Sequence, residues 1–108
     1  MSFMVDMENI KSLNIDVGAS SSIEFAEIHH EKTDEVIIER KIKVEGLMKH
    51  EIIYLSEIKN NESLLNTKVK QDGKYDLILL DFNNGSNKYE HNISLYDEGN
   101  ESRIFCAS

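Results

Sequence analysis

The sequence predicts an all-β fold, an antiparallel β-sandwich of about seven short strands. Polar and apolar side chains alternate over long stretches, which is the periodicity of a half-buried strand. Clusters rich in Gly, Asn and Asp separate these stretches at intervals of about 8 to 12 residues, a spacing typical of sandwiches. With 108 residues, 40% of them hydrophobic, the chain is long enough for one core.

The first part of the chain lacks this alternation. Residues 1–22 are expected to form a loosely ordered N-terminal arm that ends in a Gly, Ala and Ser run, and residues 23–108 are expected to form the sandwich domain. Four apolar residues of the arm are spaced by three: Met4, Met7, Ile10 and Leu13.

The predicted strands follow in order from Ile23. The clearest one covers residues 35–45, where alternate side chains form an apolar face that Arg40 interrupts. Residues 51–58 favour a strand as well, although their apolar side chains would also form a stripe on a short helix. The later strands are expected at residues 64–70, 75–82, 88–96 and 102–106.

Turn residues indicate how these strands are connected. Residues 83–87 read Asn-Asn-Gly-Ser-Asn, and both Asn and Gly tolerate the positive φ angles of tight reversals. This segment is the strongest hairpin signal in the chain. We therefore predict that the strands on either side of it pair with each other in antiparallel fashion.

A short stretch resembles a known family. Gly73-Lys74-Tyr75-Asp76-Leu77 resembles the Gly-x-Tyr-x-(Cys or Leu) stretch that begins the sixth strand of immunoglobulin-like domains, in particular the bacterial immunoglobulin-like modules. The resemblance implies an immunoglobulin-like sandwich in which Tyr75 ties a corner between the sheets. It also implies that the first and last strands lie close together, and that the role is in adhesion, scaffolding or recognition.

Charge excludes some classes of partner. The net charge of −8 opposes direct binding to nucleic acid, because that binding depends on Lys and Arg. Acidic residues are concentrated in residues 1–31 and 75–108, and in the implied topology they would merge into one acidic face. We therefore expect a protein partner with a basic surface.

Location is predicted from the absence of targeting signals. No apolar stretch approaches the roughly 20 residues needed to cross a bilayer. Asp6 and Glu8 stand where a secretory signal would carry basic residues. These observations predict no membrane association and a cytoplasmic or virion-associated protein.

Two groups of residues could carry chemistry. His29, His30 and Glu31 are good ligand types for zinc, but neighbours on a strand point to opposite faces, so we predict no metal site. Cys106, the only cysteine, could act as a nucleophile but is more simply a small core residue. We predict no catalytic residue, no cofactor and no enzyme.

The expected function is that of a non-catalytic protein-binding module, acting through its acidic face in an assembly such as that of a phage or mobile element, with homo-oligomers as one form. The alternative is a small acidic inhibitor of a nucleic-acid-processing host enzyme, either a nucleic-acid mimic or an immunity-type protein. Exposed acids, aromatics and hairpin residues are predicted to bind the partner: Glu24, Glu27, Phe82, Asn84, Tyr89, Tyr96, Asp97 and Glu98.

Overall fold

The computed structural model describes residues 1–8 and 10–107, so Asn9 of the predicted arm and Ser108 of the predicted domain lie outside it. These residues form nine strands and confirm the all-β class. The strands are β1 (Ser2–Asp6), β2 (Ser12–Val17), β3 (Ser22–His29), β4 (Lys32–Val44), β5 (Leu47–Tyr54), β6 (Glu57–Val69), β7 (Lys74–Asp81), β8 (Ser86–Leu95) and β9 (Glu101–Ala107).

The chain winds as a β-solenoid with two sheets. Odd strands form one sheet in the order β1-β3-β5-β7-β9, and even strands form the other in the order β2-β4-β6-β8. Within the described part of the chain every paired strand runs parallel to its neighbour. Each coil therefore contributes one strand to each sheet, and equivalent side chains of successive coils stack in columns along the axis.

The predicted antiparallel, immunoglobulin-like sandwich is wrong. Alternation identifies the inward face of a strand, but it is the same for parallel and antiparallel neighbours. Residues 83–87 do not close a hairpin; they form a corner that takes the chain from β7 in one sheet to β8 in the other. Tyr75 lies in the core, where its hydroxyl hydrogen-bonds to His50.

The solenoid also separates the two ends of the chain. β1 and β9 lie at opposite edges of the five-stranded sheet, so the acidic ends do not merge into one face. Residues 1–22, where a loose arm was expected, contain β1 and β2, which pair with β3 and β4. The arm is thus the first coil of the solenoid.

Inward columns of apolar side chains build the core between the sheets. One column consists of Val17, Val44 and Val69, all fully buried. The corners next to such columns are tight: a Cβ atom at Gly46 would lie 2.2 Å from the Ser21 carbonyl oxygen. Only glycine lets the coils approach this closely. None of the described residues belongs to a helix whose length and apolar character would let it cross a membrane.

Candidate functional site

The densest group of ionisable side chains lies inside the solenoid. Glu27 on β3 faces Arg40 on β4, so their ion pair joins the two sheets. Arg40 Nε donates to both carboxylate oxygens of Glu27 at 2.9 Å, and Nη2 lies 2.8 Å from Oε1. Both side chains are 0% exposed. Such a bidentate pair is the strong form of a carboxylate–guanidinium contact.

Two histidines complete the surroundings of the Glu27 carboxylate. His29 Nε2 lies 3.2 Å from Oε1, and His50 Nε2 hydrogen-bonds to Oε2. The other ring nitrogen of His50 lies 2.8 Å from the Tyr75 hydroxyl oxygen. Burial alone would raise the pKa of Glu27, but the hydrogen bonds to His29 and His50 and the charge of Arg40 hold it far below its usual range. Glu27 is therefore an ionised carboxylate in the core.

The network continues from Arg40 to the last coil. Arg40 Nη1 donates to Ser63 Oγ at 2.6 Å, and Ser63 Oγ lies 3.2 Å from His91 Nε2. Burial, followed by the charges of Arg40 and His50, lowers the pKa of His91 to about 4. His91 is thus neutral near pH 7, and its Nε2 can accept a hydrogen bond from the Ser63 hydroxyl group.

The arrangement suits a structural role better than a catalytic one. Glu27, His29, Arg40 and His50 are each at most 1% exposed, so a substrate has no contact with them. Polar groups in a core are tolerated when they satisfy each other, and here they join β3, β4, β5 and β6. This network connects the two sheets through side-chain hydrogen bonds.

The surface feature that stands out is the last coil, where the inward columns end. Leu95 follows Val44 and Val69 in one column but is 51% exposed, whereas the two valines are fully buried. Ile104 follows Leu77 in another column and rises from 1% to 56% exposed. We give the name C-terminal end face to the residues of β8 and β9 in which the inward columns end, together with Tyr96 just after β8 and Phe105 on the outer face of β9: Tyr89, Ile93, Leu95, Tyr96, Ile104 and Phe105.

The predicted partner-binding residues are spread along the solenoid. Tyr89 and Tyr96 belong to the C-terminal end face, and Asp97 and Glu98 follow Tyr96 directly in the chain. Phe82 and Asn84 lie at the opposite end of β8, in the corner that follows β7. Glu24 lies on the outer surface of β3, and Glu27, as the buried partner of Arg40, is not on the surface at all.

The structure also places the residues that were considered as a nucleophile or as metal ligands. Cys106, expected in the core, is exposed because its column ends at β9. His29 points into the core and His30 outwards, as alternation predicts for neighbours on a strand. His30 and Asp6 hydrogen-bond to each other at 2.8 Å on the surface.

Sequence reasoning missed the end face because it missed the coils. The signal was present: Val17, Val44, Val69 and Leu95 recur once per coil, and each is followed within four residues by a glycine. Repeats with a period of 20 to 50 residues are typical of solenoids.

Because no known protein is found to resemble this chain, a role for it has to be argued from its structure. The ionisable cluster is enclosed in the core, whereas the apolar columns open to the surface at the last coil. Neither a family model, nor a curated protein, nor a solved structure matches this chain.

Proposed function

We propose that this chain is a non-catalytic protein-binding module that works in an assembly, and that a second copy of the chain binds its C-terminal end face. The observation that carries the proposal is the abrupt opening of the inward columns at β8 and β9. β9 also leaves one backbone edge unpaired in the described part of the chain, and such an edge is a template for another strand.

The first coil of a second copy matches this end in register. The column that ends in Ile104 begins with Phe3, which is 45% exposed. The neighbouring column, on the outer face of the sheet, ends in Phe105 and begins with Met4, which are 60% and 74% exposed. If β1 of the second copy pairs in parallel with β9, each exposed apolar side chain gains an apolar neighbour.

The second sheet matches in the same register. The column that ends in Ile93 begins with Ile15, and the one that ends in Leu95 begins with Val17. A head-to-tail copy would therefore extend both sheets at once. Heterologous contacts of this kind do not close on themselves, so further copies could add to the same axis.

The polar columns are compatible with this contact. The junction would place Arg103 beside Ser2, Glu90 beside Ser12, Asn92 beside Asn14 and Ser94 beside Asp16. None of these four pairs joins like charges. Electrostatic repulsion across the junction is therefore limited to the overall charge of the two copies.

A single acidic face, as a nucleic-acid mimic would need, receives less support. In one outer column of the five-stranded sheet the charges alternate in sign, through Glu24, Lys49, Asp76 and Arg103. A mimic of phosphates would need a run of like charges. A basic protein partner elsewhere on the surface stays a prediction.

Two variants test the head-to-tail contact. Phe105→Lys places a charge on the C-terminal end face, and Met4→Lys does so on the first coil; both side chains are exposed, so folding should persist. We expect the unmodified chain to self-associate with concentration in analytical ultracentrifugation, and each variant to stay monomeric.

An equimolar mixture of the two variants should form dimers and nothing larger, because each contributes one intact end. Ile37→Lys is the matched control: Ile37 is 43% exposed on β4, away from the ends, and should leave association unchanged. A chain that is monomeric throughout, or a mixture that does not dimerise, would contradict the proposal.

A further inference from the structure

A group of metal-binding side chains lies on the surface where β1 and β3 end. The parallel register places Asp6 opposite Ile28, and the backbone N–H of Met7 donates to the Ile28 carbonyl at 2.9 Å. The next outward positions on the two chain segments are Glu8 and His30. One ligand atom from each of Asp6, Glu8 and His30 lies within 4.8 Å of the others.

Local hydrogen bonds hold this group together. The backbone N–H of Glu8 donates to Asp6 Oδ1 at 3.0 Å, and His30 Nε2 lies 2.8 Å from Asp6 Oδ2. The hydrogen bond from Glu8, and then the one with His30, lowers the pKa of Asp6. Asp6 therefore offers an ionised carboxylate next to an imidazole nitrogen, a combination that zinc and similar ions bind.

A buried nitrogen on the inner side of this group has no partner. His29 is 1% exposed, and its Nδ1 makes no hydrogen bond. The nearest acidic atom is Glu31 Oε1, at 3.8 Å.

We propose that Asp6, Glu8 and His30 bind a divalent transition-metal ion of the zinc type. The mixture of one imidazole and two carboxylates favours such an ion over calcium, which takes six to eight oxygen ligands, and over magnesium, which keeps most of its water. Three protein ligands leave a position for water. The bound ion would tie the end of the first coil to the second coil.

Calorimetric titration of the chelator-treated full chain with Zn²⁺ tests the site. We expect one ion per chain, and a loss of affinity of about tenfold or more in His30→Gln and in Glu8→Gln, because each variant removes a ligand. Both side chains are exposed, so the variants should fold. A third variant, Asp6→Asn, should behave in the same way.

The matched control is His91→Gln, which makes the same substitution at a histidine away from the site. It should bind Zn²⁺ as the unmodified chain does. The proposal fails if the unmodified chain takes up no Zn²⁺, if His30→Gln binds it with unchanged affinity, or if Ca²⁺ binds more tightly than Zn²⁺. Self-association is measured separately, so failure of the metal site would leave the end-face contact untouched.

Discussion

The Glu27 carboxylate on β3 and the Arg40 guanidinium on β4 form a fully buried ion pair that bridges the two sheets of the solenoid. Arg40 also donates to Ser63 on β6, and Glu27 hydrogen-bonds to His50 on β5. The pair therefore reaches strands of two successive coils. A charge in a core is tolerated only while its partner is present.

Removal of one partner should destabilise the fold strongly. We expect Glu27→Leu and Arg40→Met each to lower the free energy of unfolding by about 3 to 5 kcal/mol, because each leaves an unpaired charge in the core. The double variant should lose less than the sum of the two, although His29 and His50 would still lack their acceptor. Urea denaturation of the unmodified chain, the two single variants and the double variant gives these free energies of unfolding. Additive losses would show that the pair is not coupled.

Acid should weaken the fold through His91. Burial and the charges of Arg40 and His50 lower the pKa of His91 from 6.5 to about 4, so the unfolded chain binds a proton in this range that the folded chain does not. The free energy of unfolding should therefore fall as the pH drops from 6.5 towards 4. Glu27 adds to the loss below about pH 4.5, where the unfolded chain begins to protonate it.

His91→Gln isolates the contribution of this histidine. Gln can accept a hydrogen bond from the Ser63 hydroxyl group but does not titrate. The fall in unfolding free energy between pH 6.5 and 4.5 should therefore be smaller in the variant. Denaturant titrations at a series of pH values provide the comparison. The effect of His30 is the same in both proteins and cancels. Identical pH profiles would mean that His91 binds its proton as readily in the folded chain as in the unfolded chain.

The sequence predicts some single strands of this fold well, but it misses β1 and β2, and the predicted strand 51–58 spans the end of β5 and the start of β6. The arrangement of the strands is predicted poorly. Alternation correctly identifies β4, with Val36, Ile38, Ile42 and Val44 on its buried face. Arg40 breaks that pattern, and the break marks the centre of the buried network. Its partner Glu27 could not be found, because an isolated acidic residue on a strand is usually at the surface.

The arrangement of the strands cannot be predicted from the sequence, for a physical reason. Columns of stacked side chains join residues of successive coils, and different apolar residues serve equally well in one column. Ile104, Leu77, His50 and Phe25 occupy one such column without resembling each other. The sequence also does not reveal whether neighbouring strands run parallel or antiparallel, since residues 83–87 can form either a hairpin or a corner. The exposed Asp6 and His30 were recognisable only as residue types, not as neighbours.

Corner glycines should differ in how they tolerate a side chain. A Cβ atom at Gly46 would meet the Ser21 carbonyl oxygen at 2.2 Å, whereas at Gly18 the nearest such atom, Ser21 Oγ, would be 3.9 Å away. Gly46→Ala must therefore displace backbone, and we expect a loss of about 1 to 3 kcal/mol, typical of overpacking. Gly18→Ala should lose far less. Thermal unfolding of both variants checks this, and equal losses would contradict the tight corner.

Salt should strengthen self-association if the end-face contact is correct. Each copy carries a net charge of −8, so two copies repel each other at low ionic strength. The contact itself is made by apolar side chains, which salt does not weaken. Between about 0.01 M and about 0.15 M salt the Debye length falls from about 30 Å to about 8 Å, which screens most of the repulsion.

Sedimentation of the chain at these two salt concentrations should therefore show tighter association at the higher one. Phe105→Lys should remain monomeric at both, because its added charge lies in the contact. Ile37→Lys changes the net charge by the same amount and should follow the unmodified chain. Association that weakens with salt would instead indicate a contact between opposite charges, as expected for an acidic surface that binds a basic one.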